Sequence, residues 1–131
     1  MVEFEVSATC RAPATEVWAL LYDPARLADW WVGTERIEGE RNPLTRYTLA
    51  EPGVPYPTAL HATRDGSRVT ISCLAFDIAW EWTLEPAPEG CAVHLRMRGA
   101  DEHADLVDRQ RGDMRASVAR LVALAEAGVP R

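Results

Sequence analysis

Three stretches of the chain, residues 67–75, 78–86 and 91–99, alternate polar and apolar side chains so regularly that only strands with one wet and one dry face satisfy them. The apolar members keep a common phase: Val69, Ile71 and Cys73, then Trp80, Trp82 and Leu84, then Val93, Leu95 and Met97. If Asp65-Gly66 is a two-residue hairpin turn, Arg64 faces Ser67, and Ala62, Leu60 and Thr58 lie opposite Val69, Ile71 and Cys73. A tight turn at Phe76-Asp77 then sets Cys73 against Trp80, Ile71 against Trp82 and Val69 against Leu84. Across the following loop Leu84, Trp82 and Trp80 match Val93, Leu95 and Met97. One face collects nearly every large apolar residue of the sheet. The other collects Arg68, Thr70, Ser72, Glu81, Thr83, Glu85, His94, Arg96 and Arg98. In this register Arg68 opposes Glu85 and Glu81 opposes Arg96, exposed pairs that contribute at most roughly 1 kcal/mol each. They serve as a consistency check, because a slip of one residue would exchange the two faces.

The rest of the chain supplies the remaining strands and a cover. Val2–Cys10 alternates throughout, as a half-buried strand does. Pro13 at a first helical position and Glu16 in the first turn open a helix whose buried stripe is Val17, Leu20 and Leu21. Asp23 as N-cap and Pro24 behind it start a second short helix running through Leu27 to Trp30-Trp31. From residue 32 to residue 99 helical periodicity is absent, and Arg41-Asn42-Pro43, Glu51-Pro52-Gly53, Asp65-Gly66 and the run from Pro86 to Gly90 mark turns. They divide the region into six strands, near 32–39, 44–50, 56–64, 67–75, 78–86 and 91–99. Asp101 is placed as the cap of a long helix reaching about Ala127 and ending at Gly128 and Pro130. Its inward stripe is Leu106, Val107, Gln110, Met114, Val118, Leu121, Val122 and Ala125, with Gly112 marking a kink or a close approach to the sheet. The expected architecture is α+β: a curved seven-stranded antiparallel sheet wrapped around a long C-terminal helix, with two short helices between strands one and two. A strongly curved sheet closed by one helix leaves a space between them, here lined by aromatic side chains.

Size and charge narrow the function. The 131 residues suit one domain, 1–131, and a hydrophobic share of 47% suits a packed core. A net charge of −6 argues against nucleic acid, whose phosphates need a clustered positive field. All 14 basic residues are arginine, which we read as the coding bias of a GC-rich, bacterial genome. Cys10, Cys73 and Cys91 are odd in number and widely spaced, and no Cys/His cluster has zinc-ligand spacing, so no metal and no cofactor are expected. The alternating, acidic N-terminus is not a signal peptide, and no apolar run approaches the ~18 residues of a membrane span. The expectation is a reduced, cytoplasmic protein, monomer or homodimer, with no membrane insertion.

The N-terminal stretch resembles the opening of the START-like, or SRPBCC, superfamily, in its polyketide cyclase/dehydrase-like branch. The residues that carry the resemblance are the strand Val2–Cys10, the run Ala12-Pro13-Ala14-Thr15-Glu16-Val17-Trp18, and Asp23-Pro24 through Leu27 to Trp30-Trp31. The hairpin Trp80-Glu81-Trp82-Thr83-Leu84-Glu85-Pro86, followed by residues 90–95, is similar to the same family, and element order matches over essentially the whole chain. The resemblance implies a helix-grip fold with a ligand cavity between sheet and long helix and no obligatory metal or cofactor. It also implies that the first and last strands pair antiparallel, which makes Cys10 and Cys91 neighbours that need not be bonded in a reducing compartment. The superfamily holds carriers, receptors, cyclases, hydrolases and chaperone cofactors, so chemistry must be argued from the site.

Three function classes remain open on the residues. A binding protein for an aromatic, polyketide-like or lipid-like molecule needs only the apolar cavity. Its candidate lining is Trp30, Trp31, Tyr47, Leu60, Ile71, Cys73, Trp80, Trp82, Leu95, Met97, Gln110 and Met114, with ordinary core packing as the competing role for each. Trp80 and Trp82 offer broad apolar walls and an indole N–H for a polar ligand atom. A cyclase or dehydratase needs polar groups inside. Glu35 and Tyr47 are the candidates, because Ile37 and Gly39 place Glu35 on an inward face and Thr45, Tyr47 and Leu49 share a face of the next strand. A desolvated carboxyl there rises toward neutral pKa and can act as a base, with the phenol as proton donor. An interaction module needs a large exposed apolar patch, whereas the outer face reads as charged. His61 and His94 fall on that polar face opposite Thr70 and Thr83, and His103 falls in the first turn of the last helix. No Ser/His/Asp set, Cys/His pair with an orienting acid, or glycine-rich phosphate loop is present.

Overall fold

The computed structural model describes residues 1–128. Seven strands, β1 (Val2–Cys10), β2 (Thr34–Gly39), β3 (Leu44–Thr48), β4 (Pro55–Ala62), β5 (Arg68–Cys73), β6 (Ile78–Ala87) and β7 (Gly90–Gly99), form one antiparallel sheet. Their order is β1-β7-β6-β5-β4-β3-β2, so a run of hairpins is completed by the first strand pairing with the last. Between β1 and β2 lie α1 (Ala14–Leu21), a short 3-10 turn (Pro24–Arg26) and α2 (Leu27–Trp30). Asp23 caps that turn by accepting the Ala25 N–H at 3.0 Å, with Pro24 at its start. Pro13 is extended and stands one place before α1 rather than inside it.

The expected register holds at two hairpins. Leu60 pairs with Ile71 and His61 with Thr70; Trp82 pairs with Leu95 and Glu81 with Arg96, whose guanidinium meets the Glu81 carboxylate at 3.1 Å. The hairpin between β5 and β6 differs. Its turn takes four residues, 74–77, so Val69 pairs with Trp82, Ile71 with Trp80 and Cys73 with Ile78, and Arg68 meets Thr83 instead of Glu85. A displacement of two residues keeps every side chain on its face, and so the dry face survives the correction. The longer turn carries Phe76 out to pack edge-on against His103, with ring centroids 5.3 Å apart.

The C-terminal segment is not one helix from Asp101. It starts as a 3-10 turn (Asp101–His103) behind an extended Ala100, continues as α3 (Ala104–Arg109), bends at Gln110 and resumes as α4 (Arg111–Ala127). The expected stop at Pro130 lies outside the described residues. Val107, Met114, Val118, Leu121 and Ala125 are buried as the stripe requires; Leu106, Gln110 and Val122 are half-buried. Ser117, absent from the expected stripe, is fully buried. Its hydroxyl donates to the Asp113 carbonyl at 2.7 Å and accepts the Val32 N–H at 3.0 Å, which ties the start of β2 to the helix.

The packing also departs from a helix laid across the middle of the sheet. The main neighbours of α4 are β1, α1 and α2. Above the centre stand tryptophans instead. Trp30 and Trp31 stack with centroids 6.1 Å apart; Trp30 meets Trp82 edge-on at 4.9 Å, and Trp31 meets Trp80 edge-on at 5.1 Å. The last residue of α2 and the extended residue that follows it thus rest on alternate residues of β6, whose side chains share one face. Trp30 also donates its indole N–H to the Leu20 carbonyl at 2.8 Å.

Candidate functional site

Beside the four tryptophans the dry face of the sheet is not fully covered. A cavity of ≈ 640 Å³ opens there, bounded by β3, β4, the turn between β5 and β6, the start of β6, and the α3 region. Its apolar wall includes Val32, Phe76, Ile78, Trp80 and Leu106. The bend at Gln110 places α3 over this space, while α4 continues over β1.

The most unusual wall residue is Arg46. In β3 it is in phase with buried Leu44 and with Thr48, so it faces inward. Its guanidinium lies 3.9 Å from the centroid of the Trp31 ring and 5.8 Å from that of Trp80. A flat, weakly hydrated cation over an indole face is attracted by the ring's electrons, and this offsets part of the desolvation. The Nε–H donates to Thr34 Oγ1 at 2.9 Å. Burial pulls the Arg46 pKa down to about 10, with Cys73, Asp113 and Tyr56 acting the other way, so the group remains a cation at neutral pH. Among the described residues no carboxylate forms an ion pair with it. Tyr56, its partner across the β3–β4 ladder, has its phenol pushed up to about 12 by burial and by the neighbouring Glu51 carboxylate.

Of the residues expected at the cavity from sequence, Cys73, Trp80 and Gln110 line it. Trp80 is 3% exposed and Trp31 1%, and among the described residues the indole Nε1 of each has no hydrogen-bond partner. Trp30, Trp31, Leu60, Ile71, Trp82, Leu95, Met97 and Met114 are buried in the adjoining core rather than in the cavity wall. Glu35 and Tyr47 are elsewhere. The β2–β3 register slips between Thr34 and Arg36, and this bulge breaks the alternation that placed Glu35 inward. Glu35 is exposed and pairs with Arg36 at 2.7 Å, while the Arg36 guanidinium lies 3.8 Å above the Tyr47 ring. The face of β3 that carries Thr45, Tyr47 and Leu49 is therefore the outer one, and Leu49 is 62% exposed. Arg46, Tyr56 and Asp113 are wall residues that alternation did not pick out.

His61 is exposed, and His94 stands on the outer face, where its Nδ1 meets Ser7 Oγ at 2.8 Å. Glu85 lies 3.9 Å from the other ring nitrogen. This Ser-His-Glu row sits on the open side of the sheet with no apolar wall around it, so it is a surface network. His103 stands at the cavity rim against Phe76. Among the described residues no group of three or more His, Cys, Asp or Glu side chains is placed to hold a metal ion, and no helix is long and apolar enough to cross a membrane.

A family model described as polyketide cyclase/dehydrase and lipid transport matches residues 1–126. No curated protein matches the chain. Among solved structures, a protein from Mesorhizobium loti superposes with a TM-score of 0.78 at 13% identity, covering 98% of this chain and 100% of the other. The Aha1 dimer from Colwellia psychrerythraea gives 0.77 at 15% identity, covering 99% and 100%. A protein from Chromobacterium violaceum gives 0.73 at 19% identity, covering 95% and 97%. At these identities the likeness is one of fold.

Proposed function

Since the chain belongs to the polyketide cyclase/dehydrase and lipid transport family, we propose that it binds a hydrophobic or aromatic small molecule in the cavity between the sheet and the α3 region. The observation that carries the reading is the cavity itself, a space of ≈ 640 Å³ whose wall combines the apolar side chains of Phe76, Ile78, Trp80 and Leu106 with the half-buried Arg46. Sites for small ligands commonly enclose about 300–1,000 Å³ and combine an apolar wall with a few fixed polar groups. Burying apolar ligand area contributes roughly 25 cal/mol per Å², set against the entropy of association.

An apolar fluorophore such as N-phenyl-1-naphthylamine tests the proposal. It should bind with a Kd in the micromolar range and quench tryptophan emission. Leu106→Trp, which adds bulk to the half-buried wall from α3, should weaken binding about tenfold or more while the fold melts normally. Trp82→Ala, in the core, should instead cost ~3–5 kcal/mol of stability. Unaltered probe binding in Leu106→Trp, or no binding by the parent protein, would sink the reading.

The second reading is a cyclising or dehydrating enzyme working in the same space. It is favoured by the presence among the lining residues of the Asp113 carboxylate, the His103 imidazole and the Tyr56 phenol, the kinds of group that move protons. Glu35 and Tyr47 are not among the residues that line this space.

A further inference from the structure

We infer that the cavity selects a monoanionic amphiphile: an apolar molecule carrying one carboxylate, seated with that group at Arg46. The inference rests on the ligand-binding reading above and goes beyond it by specifying the ligand's polar group.

The argument starts from what remains unsatisfied inside. Arg46 uses its Nε–H on Thr34, and its terminal nitrogens have no hydrogen-bond acceptor among the described residues. The Trp80 N–H also lacks a partner among the described residues, but that atom is sealed from the cavity, so of the two Arg46 alone offers free donors there. The terminal N–H groups of Arg46 are thus cationic donors free to face the cavity. A ligand that brings acceptors satisfies them, and a carboxylate brings two oxygens that match the guanidinium fork.

The other charges of the wall refine the class. Glu51, Glu102, Asp105 and Asp113 also border the cavity, with Arg109 beside them. All five are exposed, whereas Arg46 is half-buried against tryptophan. Charges in solvent are screened, while a charge against a low-dielectric wall acts at nearly full strength. Arg46 therefore decides the sign of the ligand's inner end. The acidic rim repels surplus negative charge and so disfavours a dianionic phosphate relative to a carboxylate. The apolar body of the ligand is left to lie along Ile78, Phe76 and Leu106.

The test compares 1-pyrenebutyric acid with 1-pyrenebutanol and with the phosphate ester of that alcohol, by fluorescence titration at pH 7 on the full chain. The acid should bind at least about tenfold more tightly than the alcohol, the increment of one charge-assisted pair, and more tightly than the phosphate. Arg46→Gln should bring acid and alcohol within about twofold of each other, and Arg46→Lys should keep part of the preference because it keeps the charge but not the fork. Arg98→Gln, on the outer face of β7, should leave the preference intact. Melting curves establish that each variant is folded; if Arg46→Gln is not, Arg46→Lys and the parent's acid-to-alcohol ratio decide. Equal binding of acid and alcohol by the parent, or a preference that survives in Arg46→Gln, overturns the inference while leaving the ligand-binding reading standing. A parent protein that binds none of the three overturns both.

Discussion

The three cysteines sit in two kinds of surroundings, and their reactivity should separate accordingly. Cys10 and Cys91 are register partners on β1 and β7, 3% and 1% exposed. Burial, with Cys10 adding to it, pushes the Cys91 thiol up to about 11. Cys73 is half-buried at the cavity wall. At pH 8 a thiol-specific disulfide reagent should therefore modify Cys73 first and reach the other two only after denaturation, and a bound ligand should slow the first reaction. Simultaneous modification of all three would contradict the placement. The same burial predicts a pH effect. Cys91 holds its proton more tightly folded than unfolded, so its contribution is complete below about pH 9 and is lost as pH rises toward 11. Tyr56 adds a loss of the same sign above its ordinary value of 10.0. Arg46, lowered in the fold to about 10, acts in the opposite sense as pH rises above that value. Between pH 9 and 10 the fall in Tm is thus mainly that of Cys91, and Cys91→Ala should flatten it. Arg46 also shows where residue-level reading ran out. The run Leu44-Thr45-Arg46-Tyr47-Thr48 fits either face, and a rule that sends charge outward and aromatics inward picks the wrong one. What reverses it is an indole from a distant short helix, which no local pattern announces.

At the scale of elements, the alternation of β4 to β7 was sufficient to fix which side chains face inward, because faces survive an error of two residues in a turn. It could not count the residues of the 74–77 turn, nor foresee the bulge beside Glu35, since both depend on tertiary packing. The last helix was legible as a stripe but not as two pieces. Gly112 is in α4, just past the bend, and a Cβ added there meets nothing within 4 Å. It is neither a close approach to the sheet nor the bend itself, so its flexibility is a cost without a packing return. Gly112→Ala should stabilise the protein by about 0.5–1 kcal/mol in urea unfolding. Gly90, at the start of β7, is the contrast. Its φ is +148°, and a Cβ there would stand 2.1 Å from the Cys10 carbonyl oxygen. Gly90→Ala should destabilise by about 2 kcal/mol or more, since backbone must move to admit it. A stabilised Gly90→Ala would mean that the β1–β7 seam is looser than drawn.

For the whole molecule, the wrapped seven-stranded sheet was readable from the chain, but the position of the opening beside its dry face was not. It is set by which part of the sheet the tryptophans and α4 leave open, a matter of three-dimensional packing among elements far apart in sequence. The order of the strands has a consequence of another kind, in time. Every neighbour pair from β2 to β7 is a hairpin, closed by a short turn, whereas β1 must wait for β7: Val2 meets Gly99, and Cys10 meets Cys91. Closing so long a loop before any contact rewards it is slow, so hairpin ladders form the nucleus and the first strand joins late. Truncating Phe4, which is buried in β1, should then mainly speed unfolding, while Ile71→Val, inside the ladder, should mainly slow refolding. Stopped-flow chevrons would reverse that assignment if Phe4→Ala retarded folding instead. By this order the strand made first is the last to be seated, and until it docks the growing sheet carries a bare edge along β7, the stretch of backbone most in need of protection while the protein folds.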